Sequence, residues 1–124
     1  MRPWLILAGL NGLVAVAAGA YGWHWLETHE SAQRDIFNLG VQYHMWHALA
    51  LVGVAWLADR MGGRLPAVAG ILFTAGLVLF SGSLYAFGLT GVLPLRGAAP
   101  AGGFLLMAGW ACLVVAGVRG AGRR

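Results

Sequence analysis

Two histidines one helical turn apart, His44 and His47, are the residues of this chain best suited to chemistry. At a spacing of i, i+3 their rings share one side of a helix. There they could chelate a metal ion, pass a proton near neutral pH, or hydrogen-bond to neighbouring helices. Ser81, Ser83 and Tyr85 offer hydroxyls nearby, and Asn11, Thr74 and Cys112 are polar groups inside otherwise apolar stretches. His24 and Tyr43 form a further candidate pair nearer one surface. A Ser–His hydrolase would need a carboxylate to orient the imidazole, and Glu27, Glu30, Asp35 and Asp59 all fall outside the depth of Ser81. A closed metal site would need ligands from other helices, with Cys112 the nearest candidate; a bis-histidine haem site lacks a second buried histidine. No metal or cofactor is expected.

The stretches that carry these residues are nearly free of charge. The 124 residues are 60% hydrophobic and 10% charged, against roughly 45–50% and about 25% in soluble domains. Such a chain cannot cover a globular surface in water, and its mean hydropathy of +0.75 agrees. Composition thus excludes a disordered tail, a soluble enzyme domain and a nucleic-acid module; the lipid bilayer is the expected solvent. All eight basic residues are Arg, and the single cysteine cannot form an intrachain disulfide.

Charge-free segments run over 3–26, 36–58, 65–95 and 97–118. Each exceeds the roughly 20 helical residues that cross a hydrocarbon core. The third is too long for one straight span, so Gly91 and Pro94 are expected to end its helix, with a loop to Ala99 and Pro100 opening the fourth. The expected fold is all-α: one membrane domain, an antiparallel bundle of four transmembrane helices over about 3–26, 36–58, 66–90 and 100–118. The Glu27–Asn38 stretch reads as the outer end of the second helix. Arg2 and the Ala18-Gly19-Ala20 sequence resemble a secretory signal, but the apolar run continues through Tyr21, Trp23 and Trp25 and favours an uncleaved span.

Arginine placement predicts orientation. Arg2, Arg60, Arg64, Arg119, Arg123 and Arg124 would share one side, with Arg34 and Arg96 on the other, which puts both termini in the cytoplasm. Trp25 and Trp56 read as interfacial anchors, as do Trp4, Trp23 and Trp110, while Trp46 would cover His47.

Twenty glycines are about 16% of the chain, against about 7% on average. Between membrane helices small residues allow close backbone approach. Ala8, Gly12, Ala15, Gly19 and Gly22 form a heptad-like seam; Ala69, Gly76 and Ser83 step by seven; Ala108, Cys112, Ala116 and Gly120 step by four. Depth along each helix puts Asn11, His47, Thr74 and Cys112 in nearly one layer, roughly 9–16 Å from the cytoplasmic end. His47 would then bond to Asn11 or Thr74, and His44 would stand level with Ser81.

Longer motifs carry a resemblance. Gly19-Ala20-Tyr21-Gly22-Trp23-His24-Trp25-Leu26, Tyr43-His44-Met45-Trp46-His47-Ala48-Leu49-Ala50, Leu79-Phe80-Ser81-Gly82-Ser83-Leu84-Tyr85 with Leu89-Thr90-Gly91, and Pro100-Ala101-Gly102-Gly103 with Gly109-Trp110 resemble elements of the YgdD-like bacterial proteins, which have transmembrane protein 256-like relatives in eukaryotes. The resemblance covers nearly the whole chain. It implies a small multi-pass protein of the bacterial inner membrane and a shared polar set at His24, Tyr43, His47, Ser81, Ser83 and Tyr85. His44 stands where the family often has glutamine, Trp23 and Trp25 replace small residues, and Ala99 replaces a threonine.

Small-residue seams, minimal loops and the missing carboxylate favour a non-enzymatic scaffold or accessory subunit, as a homo-oligomer or within a larger membrane complex. The alternatives are a small transporter or proton or ion pathway through the histidines, and a metal- or cofactor-binding membrane protein.

Overall fold

A helix satisfies its own backbone groups without water, which is what an apolar segment needs in lipid. The computed structural model describes residues 2–24 and 29–122. Those residues form α1 (Arg2–His24), α2 (Ser31–Met61), α3 (Leu65–Thr90) and α4 (Ala98–Gly122). Trp25, Leu26, Glu27, Arg123 and Arg124, used above to place a span end and the orientation, lie outside the described residues.

Glycine makes the turns. Gly62 and Gly63, at φ 65° and 74°, reverse the chain from α2 into α3, and Pro66 sits in the first turn of α3, where its missing N–H costs nothing. Gly91 ends α3 in the left-handed conformation at φ 78°, its N–H donating to the Phe87 carbonyl at 2.7 Å. The helix thus stops at the expected residue. The loop is shorter than expected, however, because α4 starts at Ala98 and takes Pro100 into its first turn. Ser31–Asn38 is continuous with α2, in agreement with its reading as the end of that helix.

α1 packs on α2, α2 on α3, and α3 on α4. Neighbours run antiparallel: Gly12 faces Ala48, Gly19 faces Val41 and Gly22 faces Asn38. The expected seam of α1 is therefore the surface that meets α2. On α3, Gly88 lies against Phe37 of α2 and Gly76 against Leu106 of α4. Backbone meets backbone at Gly102, where a Cβ would stand 2.5 Å from the Phe80 backbone nitrogen and 2.8 Å from the Gly76 carbonyl oxygen. No side chain fits there.

The expected seam of α4 is corrected. Its surface against α3 runs through Ala98, Gly102, Leu106, Gly109 and Ala116, all buried; Ala108 and Cys112 lie beside it, half-buried. The core draws on all four helices, with Ala8, Leu51, Val54, Ala69, Phe73, Leu77 and Leu106 in one cluster. Apolar side chains such as Leu13, Ile71, Val78, Phe104 and Val118 face outward, as lipid-solvated helices require.

Three stretches are long and apolar enough to cross a membrane: Pro3–His24, Leu65–Thr90 and Ala98–Gly120. The 31-residue α2 falls short on composition, because it carries Gln33, Arg34, Asp35, Asn38, Gln42, both central histidines, Asp59 and Arg60. This least apolar helix is also the one packed between α1 and α3.

Candidate functional site

The two central histidines of α2 are turned into the bundle and bonded to other helices, whereas Asp35, Gln42, Asp59 and Arg60 are exposed. His44 is buried at 7% exposure. Its Nε2 lies 2.8 Å from Asn11 Oδ1 on α1, and its Nδ1 lies 2.8 Å from the Tyr85 hydroxyl on α3. The Asn11 amide nitrogen donates to the Leu7 carbonyl at 2.8 Å, so the atom it presents to His44 is the oxygen, an acceptor only. His44 Nε2–H therefore donates to Asn11, and in the neutral ring Nδ1 accepts from the Tyr85 hydroxyl. One imidazole thus links three helices, with Phe37 packed on Tyr85 at 4.9 Å between ring centroids.

His47, 4% exposed, is bound differently. Its Nδ1 lies 2.7 Å from the Tyr43 carbonyl one turn back on α2, and the Trp110 indole N–H of α4 donates to Nε2 at 3.0 Å. A carbonyl only accepts and an indole only donates. The ring is therefore neutral, with its hydrogen on Nδ1 and its Nε2 lone pair facing Trp110. Phe73 meets the imidazole edge-on at 5.4 Å and the Trp110 ring at 5.1 Å, so the bond is enclosed by aromatic surface.

Further bonds tie α2 to α3. Ser81 Oγ donates to the Gly40 carbonyl at 2.8 Å, and Gln33 Nε2 donates to the Gly88 carbonyl at 3.3 Å. Glycine at position 40 leaves that carbonyl accessible, since a Cβ there would press on Leu84 and Tyr85 at 3.1–3.2 Å.

The expected layer of Asn11, His47, Thr74 and Cys112 does not form as a bonded set. Asn11 is the partner of His44, and Thr74 donates to the Gly70 carbonyl of its own helix at 2.8 Å. Cys112 packs against the apolar core. Ser83 is buried on α3. His44 and His47 do not converge on a common ligand, because their ring nitrogens are bonded to four different partners. Among the described residues no group of three or more His, Cys, Asp or Glu side chains stands together as a metal site.

His24 and Tyr43 are not brought together either. Tyr43 packs on Phe80 and Trp46 at 4.7 and 5.1 Å, level with α1 between Gly12 and Gly19, whereas His24 ends α1 beyond Gly22. Trp110 and Gln33 are the participants that inspection of the sequence missed. Trp110 was read as an anchor, and it is 46% exposed; its indole nitrogen still needs an acceptor where it faces the bundle, and that need was the available signal.

These features define a class: a small helical membrane protein whose central polar residues are bonded between helices. Comparison with known proteins places it more narrowly. Residues 18–103 match the family described as "Protein of unknown function (DUF423)", and the chain belongs to that family. It is 43% identical to the UPF0382 membrane protein YwdK of Bacillus subtilis, over 96% of this chain and 98% of that protein. It is 37% identical to a UPF0382 membrane protein of Staphylococcus epidermidis, over 98% and 100%. To the UPF0382 inner membrane protein YgdD of Escherichia coli K12 it is 34% identical, over 95% and 91%. The YgdD-like resemblance holds, and a multi-pass protein of the bacterial inner membrane fits both the relatives and the apolar helices. No solved structure matches the chain.

Proposed function

We propose that the chain crosses the membrane four times, with both termini in the cytoplasm, and acts as a non-enzymatic scaffold or accessory subunit that packs against a second copy or a larger membrane complex. The observation that carries the scaffold reading is that both ring nitrogens of both central histidines are already bonded within the bundle, leaving neither ring a free atom for a substrate. At about 1.5 Å per residue α2 spans about 46 Å, beyond the roughly 30 Å of a hydrocarbon core. Its Gln33, His44 and His47 side chains bond to α1, α3 and α4, which helps to accommodate a helix of modest apolarity in lipid. Arg60, Arg64 and Arg119 at one end against Arg34 and Arg96 at the other favour the stated orientation.

Two experiments test the proposal. In a Cys112→Ser background, Gly63→Cys should react with a membrane-impermeant thiol reagent only from the cytoplasmic side and Gly97→Cys only from the periplasmic side; labelling of both from one side removes the four-span topology. Extraction into native-membrane nanodiscs, followed by mass spectrometry, should recover a stoichiometric partner or a second copy. A lone monomer there removes the scaffold.

A proton pathway is the second reading, favoured by the continuous series Tyr85–His44–Asn11. The series ends on the Leu7 carbonyl, which accepts a hydrogen bond without passing a proton onward. Proton flux in proteoliposomes is therefore expected to match protein-free vesicles, in wild type and His44→Ala alike. A flux that His44→Ala abolishes would reverse the preference.

A further inference from the structure

At the end of the bundle opposite Gly91, a cavity of about 740 Å³ opens between the end of α2, the start of α3 and the last turns of α4. Three arginines line it, one from each of these segments: Arg60, Arg64 and Arg119. Arg60 is held over the Trp56 ring, 5.1 Å from its centroid, so its guanidinium is positioned rather than loose. Among the described residues none of the three pairs with a carboxylate; Asp59 is the one described acid at this end.

The placement of Arg64 is informative. It is the N-cap of α3, makes no side-chain capping bond, and the first turn contains no acid. The amino end of a helix carries partial positive charge and favours an anion. A guanidinium there faces charge of its own sign until an anion joins it. The rest of the wall is apolar, with Leu57, Met61 and Leu65 beside the arginines. Gly117 on its wall faces open space, since a Cβ there would meet nothing within 4 Å.

We propose that this cavity binds the phosphate headgroup of an anionic glycerophospholipid, held by Arg60, Arg64 and Arg119, with its hydrocarbon against the apolar wall. A free phosphate ion would use the arginines and leave that wall unused; a lipid uses both. Basic pockets between helix ends at the cytoplasmic surface are suited to such headgroups. The site rests on the proposed cytoplasmic placement of this end and does not depend on the scaffold reading.

The test is native mass spectrometry of the full chain in detergent, titrated with phosphatidylglycerol or phosphatidylcholine. Wild type should prefer phosphatidylglycerol by about tenfold or more. The combined Arg60→Gln, Arg64→Gln, Arg119→Gln variant should lose that preference, and Arg96→Gln, at the opposite end, should keep it. Gly117→Leu fills the cavity without moving a charge and should weaken phosphatidylglycerol binding by a similar factor, so the result stands even if the triple variant folds poorly. Equal binding of the two lipids by wild type, or undiminished phosphatidylglycerol binding by Gly117→Leu, overturns the proposal. Competition by inorganic phosphate at concentrations equal to the lipid would also overturn it, because it would assign the site to the free ion.

Discussion

His44 and His47 sit one turn apart on one helix, yet they do different structural work. His44 joins α1, α2 and α3 through two side chains, Asn11 and Tyr85. His47 uses one nitrogen on its own helix and joins only α4, through Trp110. A spacing of three residues turns the side chain by about 60° around the helix, and in a close-packed bundle that is enough to face a different neighbour. Identical residue types on one helix face thus acquire roles set by which helix stands opposite.

The difference predicts an order of effects, measurable as unfolding free energies in mixed detergent micelles. His44→Leu should be the most damaging, at about 2–3 kcal/mol, since it leaves two buried partners, the Tyr85 hydroxyl and Asn11 Oδ1, unsatisfied. His47→Leu should cost about 1–2 kcal/mol, because only the Trp110 N–H loses its acceptor across helices. Equal costs for the two would erase the distinction. Trp110→Phe keeps the aromatic packing on Phe73 and removes one hydrogen bond, so about 0.6 kcal/mol is expected, near the average for bonds between membrane helices. A double-mutant cycle should show His47 coupled to Trp110 and His44 coupled to Asn11, with no coupling between the crossed pairs. Thr74→Val should change stability by less than about 0.5 kcal/mol, since its hydroxyl returns to its own helix. A larger loss would mean that Thr74 joins helices after all.

The glycine seams show where inspection of the residues succeeds and where it drifts. On α1 the steps of four and three average close to the helical repeat, so Ala8, Gly12, Ala15, Gly19 and Gly22 stay on one face and meet α2. On α4 a row stepping only by four rotates by about 40° each time. Ala108 and Cys112 consequently leave the face that Ala116 occupies, and the true surface follows Gly102, Leu106 and Gly109. Depth arithmetic has the same weakness: it ranks residues along the axis and says nothing of direction around it. Asn11 and His47 were matched by height, whereas His44 is the ring that points at Asn11.

Helix number, turn positions and lipid as solvent were legible from local chemistry, because long uncharged runs and glycines with positive φ act through their own residues and immediate neighbours. The pairing of His44 with Asn11 and Tyr85 and of His47 with Trp110 joins residues 33 to 63 positions apart, and Arg119 comes to one cavity with Arg60 and Arg64 from more than 50 positions away. Those contacts depend on how each helix is rotated against the next. That rotation is a property of the assembled bundle, decided by where glycine lets two backbones touch.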